Sequence, residues 1–150
     1  MPARLSVAEC WEQGKFRIDL TYRNRRLAAQ PMAHLETILF VDDDPELREI
    51  AAAALAAPGY TILTASDGYE AIRILADRWV SFLITDIRMP GINGFELARQ
   101  ARVMRPNIHI IYLSGYPVEG ARGSGPVYGA VLKKPLRMGD LLAEVSGRLL

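Results

Sequence analysis

Residues 82–97 read Phe-Leu-Ile-Thr-Asp-Ile-Arg-Met-Pro-Gly-Ile-Asn-Gly-Phe-Glu-Leu. An apolar run, Phe82–Thr85, ends in an acid, Asp86. Pro90-Gly91 marks a turn, Asn93 offers a helix N-cap, and Phe95, Leu97, Ala98 and Ala101 form an apolar stripe at helical spacing. Strand, carboxylate, turn and helix in that order describe one strand–helix unit with an acid at the carboxyl end of its strand.

The same alternation extends on both sides. Strands are expected at Ile38–Val41, Tyr60–Thr64, Ile108–Leu113 and Ala130–Lys133. None shows clean polar alternation, as expected of a parallel sheet covered by helices on both faces. Asp44-Pro45 opens a helix that stops at Pro58-Gly59. A second helix follows Ser66-Asp67, with Ala71, Ile72 and Leu75 toward the core. A last one places Leu141, Leu142, Val145 and Leu149 on one side. Between Tyr116 and Tyr128, Gly120, Gly123, Gly125 and Pro126 oppose a long helix.

The chain has 150 residues, 50% of them hydrophobic, and a formal charge of +1. That is enough to bury a core, and it argues against disorder and against a binder of nucleic acid through a general basic field. The one cysteine, Cys10, can form no internal disulfide and no Cys-based zinc site by itself. The longest apolar run, Ile50–Ala57, is far short of the roughly 20 residues a membrane span needs, and no signal segment opens the chain. A soluble, cytoplasmic chain is expected, monomeric or weakly dimeric, with no membrane and no direct nucleic-acid partner. Residues 1–31 carry a charge of +3 and the remainder −2. We therefore divide the chain into a basic extension, 1–35, and one domain, 36–150. In the extension, Phe16, Ile18, Leu20 and Tyr22 alternate as in a strand. The plainer reading is a loosely ordered arm, or residues upstream of a start at Met32.

Functional groups collect at strand ends. The first strand runs into Asp42-Asp43-Asp44 and the third into Asp86; the fourth ends in Ser114-Gly115 and the fifth in Lys133-Lys134-Pro135. In an open parallel sheet, ligands bind beyond the carboxyl ends of the strands. Asp42, Asp43 and Asp86 would share one crevice there, and three carboxylates that close resist ionising without a cation. Mg²⁺ suits them, since it takes one or two carboxylates, several waters and a phosphate oxygen. A hydroxyl and an ammonium on the same edge suit phosphoryl oxygens. Capping of a helix explains Asp44 but not a further aspartate ending another strand.

The segment Asp86–Leu97 resembles the phosphoacceptor signature of two-component response-regulator receiver domains, the stand-alone chemotaxis-regulator type among them. Asp42-Asp43-Asp44, Ser114-Gly115 and Lys134-Pro135 match that family's other motifs in order. The resemblance covers residues 36–150 and implies a flavodoxin-like five-stranded parallel sheet of order 2-1-3-4-5. It makes Asp86 the acceptor of a phosphoryl group from a histidine kinase or a histidine phosphotransfer protein. It gives Mg²⁺ to Asp43 and Asp86 directly, to Asp42 through water and to the backbone carbonyl of Arg88. Ser114 and Lys134 would bind the phosphoryl oxygens, and Gly115 would leave the group room to approach. A cis peptide before Pro135 would aim Lys134 into the site. Output would pass to another protein by contact, the downstream partner being unnamed by the sequence.

Two departures stand out. The family commonly has Tyr or Phe three residues before the site lysine, where this chain has Val131, and the segment between Ser114 and Lys134 is short and glycine-rich. Tyr116 would stand at the mouth of the site, as a shield of the acyl phosphate or as an ordinary loop tyrosine. Trp79 reads as a packing residue and His109 as a surface position. Two rival functions remain. Asp42-Asp43-Asp44 contains the Asp-x-Asp of Mg²⁺-dependent hydrolases of the haloacid-dehalogenase type, but that reading leaves Asp86 and its Met-Pro-Gly context unexplained. A pseudo-receiver that only binds partners leaves the complete set of chemical groups unexplained.

Overall fold

A computed structural model describes residues 36–115 and 128–149, with no account of the Leu149 side chain. Within them lie β1 (Thr37–Val41), α1 (Pro45–Ala56), β2 (Thr61–Ala65), α2 (Gly68–Asp77), β3 (Phe82–Asp86), α3 (Gly94–Met104), β4 (His109–Ser114), β5 (Ala130–Lys133) and α4 (Met138–Leu149). The five strands form one parallel sheet in the order β2-β1-β3-β4-β5. The expected strands are all present; β2 and β4 each sit one residue later than expected, in register with their neighbours.

Both faces of the sheet are covered, which is why its central strands lack polar alternation. On one face Leu39, Val41, Leu83, Ile110 and Tyr112 pack against Ala71 and Leu75 of α2 and Phe95, Leu97 and Ala101 of α3. On the other, Ile38, Phe40, Phe82, Ile84 and Ile111 pack against Ala51 and Leu55 of α1 and Leu141 and Val145 of α4. Every residue of β3 is buried, as befits the centre of the sheet.

Local sequence fixes where helices begin, and so fixes the loops around the strand ends. Asp44 caps α1 through its Oδ1, which accepts from the Glu46 and Leu47 amides at 3.0 and 3.3 Å, with Pro45 at the first helical position. Asp67 caps α2 by accepting from the Glu70 amide at 2.8 Å, and the Glu70 carboxylate reaches back to the Ser66 amide at 2.9 Å. Those Ser66 hydrogen bonds hold the Glu70 carboxyl below its ordinary value. Asn93 caps α3 by accepting from the Glu96 amide at 2.9 Å.

Gly94 has a different reason. A Cβ there would collide with the carbonyl of Asp86 and the Cα of Ile87, so α3 starts in direct backbone contact with the end of β3. The Gly94 amide donates to the Ile87 carbonyl at 2.8 Å, closing the loop between them. Gly94→Ala is therefore expected to cost about 1–3 kcal/mol by overpacking against backbone that cannot rotate away, read as a lower denaturant midpoint. A wild-type midpoint would remove this account of the loop.

Two side chains differ from expectation. Trp79 does not pack inside: it is 71% exposed, and the Arg105 guanidinium lies 5.0 Å from its ring centre. His109 is half-buried rather than on the surface, its ring stacked on Phe82 at 4.7 Å. Tyr116 and the glycine-rich stretch to Pro126 lie outside the described residues.

Candidate functional site

The carboxyl ends of β1, β3, β4 and β5 converge as a parallel sheet requires. Asp42, Asp43 and Asp86 each offer a carboxylate oxygen within 4.8 Å of the others, so a single small cation could meet all three. Asp42 is fully buried, Asp86 is 7% exposed and Asp43 is exposed. They are not equivalent. Asp42 Oδ1 accepts the Asp44 amide at 2.9 Å and Oδ2 accepts the Lys134 ammonium at 2.7 Å. With both oxygens engaged by the protein, Asp42 is an anchor, and Asp43 is the one exposed acid of the three.

Lys134 reaches the cluster from the end of β5. Its Nζ stands 3.4 Å from Asp86 Oδ2 as well as 2.7 Å from Asp42. Its backbone amide donates to the Ser114 carbonyl at 2.8 Å, joining the ends of β4 and β5, and the Lys134–Pro135 peptide is cis. Burial works against the ammonium. The Asp42 hydrogen bond and the charges of Asp42 and Asp86 outweigh it, so the Lys134 pKa rises.

Asp86 moves the opposite way from a usual paired aspartate. Loss of water around it is the largest influence and raises its pKa; Lys134 pulls it back, and the nearby Asp42 and Asp43 charges raise it further. A buried carboxyl held reluctant to ionise by other carboxylates is chemistry that a divalent cation relieves. The donor set of hard oxygens beside an open acid fits Mg²⁺.

Ser114 is 4% exposed, at the end of β4. A Cβ at Gly115 would meet nothing within 4 Å, so the position beside it is open. Arg88 is exposed between two buried anchors, Ile87 and Met89, both in the core beneath α3. This alternation fixes the loop after Asp86 and leaves Arg88 on its rim. Val131 is half-buried against the same core.

Two residues at the site escaped the sequence reading. Arg48 Nη1 donates to the Asp42 carbonyl at 2.6 Å, a main-chain acceptor that side-chain spacing does not reveal. Thr85 is fully buried, and its hydroxyl donates to the Asp86 carbonyl at 2.9 Å. Only the backbone path shows that bond. Together with Gly94 it pins the main chain that carries Asp86.

Residues 38–146 match the response regulator receiver domain family, and the chain belongs to it. The chain is 31% identical over 118 residues to the response regulator receiver protein CpdR of Brucella abortus, an alignment spanning 77% of this chain and 98% of that protein. It is 35% identical over 114 residues to the response regulator MprA of Mycobacterium ulcerans, spanning 75% of this chain but only 49% of MprA, about half its length. Among solved structures, a response regulator receiver protein from Sinorhizobium medicae superposes with a TM-score of 0.70 at 31% identity, covering 76% of this chain and 94% of that one. The response regulator protein TrrA from Thermotoga maritima, solved in complex with Mg²⁺ and beryllofluoride, gives a TM-score of 0.66 at 34% identity, covering 77% and 99%. The sheet order and the helices on both faces are those of the flavodoxin-like receiver fold.

Proposed function

We propose that this chain accepts a phosphoryl group on Asp86 from a phosphohistidine of a histidine kinase or phosphotransfer protein, with Mg²⁺ bound, and signals by contact with another protein. The observation that carries this reading is the Asp42–Asp43–Asp86 cluster with Lys134 spanning Asp42 and Asp86. An Asp86 carboxylate oxygen attacks phosphorus, the P–N bond to the donor imidazole breaks, and the nitrogen keeps the electron pair and takes up a proton. Such transfers ask the protein mainly for in-line positioning and neutralisation of charge. Asp43, Asp86 and the Arg88 carbonyl would hold Mg²⁺, with Asp42 behind a water. Bound there, the ion offsets the charge brought together by nucleophile and phosphoryl group. Lys134 pairs with one phosphoryl oxygen and Ser114 donates to another, while Gly115 leaves the approach clear and Pro135 shapes the turn behind Lys134. The Mg²⁺–beryllofluoride complex of TrrA supports the reading, because that pair mimics a phosphoryl group and its metal in a relative.

We place the domain at residues 36–150, with 1–35 an extension outside it, and the protein in the cytoplasm as a monomer or weak dimer. Among the described residues, no helix is long and apolar enough to cross a membrane. The test is thermal unfolding with and without Mg²⁺. At ten times the dissociation constant, Mg²⁺ should stabilise wild type by about 1.4 kcal/mol and leave Asp43→Asn unchanged. Equal stabilisation of both proteins would remove Asp43 from the metal site.

A further inference from the structure

Val131 leaves this chain without an aromatic side chain in the middle of β5, but its partner in register on β4 is an aromatic one, Tyr112. Tyr112 is fully buried and lies on the face that packs against α3, its ring centre 5.1 Å from that of Phe95. Its hydroxyl accepts a hydrogen bond from the Tyr128 amide at 3.2 Å, just before β5 begins. Other groups hold that point as well. Arg102 Nη2 donates to the Tyr128 carbonyl at 3.2 Å with its guanidinium 5.4 Å from the Tyr128 ring centre. Gly129 then runs so close to the Ile110 carbonyl that no side chain would fit.

Ser114 is two residues beyond Tyr112 on the same strand, so the two share a face. The Ser114 carbonyl also takes the Lys134 amide at 2.8 Å. The start and the end of β5 are thus both fastened to one short piece of β4, Tyr112–Ser114. A stiff buried ring transmits a shift of that piece, whereas the shorter Val131 side chain carries no polar group to hand on.

We propose that Tyr112 is the positioning residue that carries a displacement of Ser114 to the start of β5. The inference rests on the reading of Asp86 as phosphoacceptor. Displacement of β4 by the phosphoryl group alters the Tyr112–Tyr128 hydrogen bond, and the segment that begins at Tyr128 responds.

The experiment is amide hydrogen exchange on the full chain, with and without Mg²⁺ and beryllofluoride, for wild type, Tyr112→Phe and Val131→Ala. Uptake of beryllofluoride is followed separately by fluorine NMR. In wild type, beryllofluoride should change exchange at the Tyr128 amide about tenfold or more. Tyr112→Phe keeps the ring and its contact with Phe95. It should take up beryllofluoride normally, yet lose protection at Tyr128 and lose the beryllofluoride response there. Val131→Ala should keep that response. A merely structural Tyr112 would lower stability but leave the response in place, which would overturn the proposal, as would its loss in Val131→Ala. No uptake by wild type would overturn the phosphoacceptor reading itself, and this inference with it.

Discussion

Lys134→Ala is expected to lower both stability and phosphorylation. The lysine pairs at 2.7 Å with a fully buried aspartate, Asp42, and stands 3.4 Å from Asp86. Removing it leaves Asp42 with the Asp44 amide and without its ammonium partner. Breaking a buried pair from one side costs several kcal/mol; because the Lys134 side chain is 25% exposed, water recovers part of the loss, and about 2 kcal/mol remains, or roughly 4–8 °C in Tm. Phosphorylation by a small acyl phosphate should slow by about 10²–10³, the usual cost of removing one donor from developing phosphoryl charge. Lys134→Arg separates the two effects: it restores charge and stability but not the compact geometry at the phosphoryl oxygen. Stability and rate both unchanged in Lys134→Ala would show that the contact is incidental.

Asp86→Asn should abolish phosphorylation and at the same time stabilise the metal-free protein. Burial raises the Asp86 pKa above the ordinary 3.8, with Lys134 only partly opposing it and Asp42 and Asp43 adding to it. A carboxyl whose pKa is raised on folding favours the folded state below its unfolded value, and that advantage is lost as pH rises through the folded value. At neutral pH the ionised Asp86 is therefore a cost, which the neutral amide removes. In chelator-treated buffer at pH 7, Asp86→Asn should be more stable than wild type, and the gain should vanish as pH falls below the ordinary carboxylate range. Thermal scans across pH 3–7 measure it. A variant less stable than wild type at pH 7 would mean that Lys134 outweighs burial and like charge at this position.

Both expectations rest on one balance of charge at the site. Lys134 offsets part of the negative charge, enough to fold the cluster but not enough to satisfy it. Under the proposed function a metal ion would meet the deficit, and the phosphoryl oxygens would draw on Lys134 and Ser114.

Much of this was readable from residues alone because it depends on local rules. The caps at Asp44 and Asn93 fix where α1 and α3 begin. The apolar runs fix the strands, and a parallel sheet then has to bring the ends of β1, β3, β4 and β5 to one edge. What was not readable depends on register and on main-chain acceptors. Arg48 and Thr85 bond to carbonyls of Asp42 and Asp86, and a carbonyl leaves no trace in the side-chain sequence. The Tyr112–Tyr128 bond needs the pairing of β4 with β5 to be known first. From the sequence Trp79 reads as a packing residue. Here it follows the last turn of α2 and covers Arg105 at the surface instead.

The central claim is that Asp86, backed by Asp42, Asp43, Ser114 and Lys134, receives the phosphoryl group. A crystal structure of the full chain grown with Mg²⁺ and beryllofluoride tests it most directly. The account predicts beryllium bonded to an Asp86 carboxylate oxygen, fluorines facing Lys134 and Ser114, and the metal between Asp43, Asp86 and the Arg88 carbonyl. Beryllium on Asp42, as a hydrolase of the haloacid-dehalogenase type would place it, or a site that takes up neither ion, would contradict it.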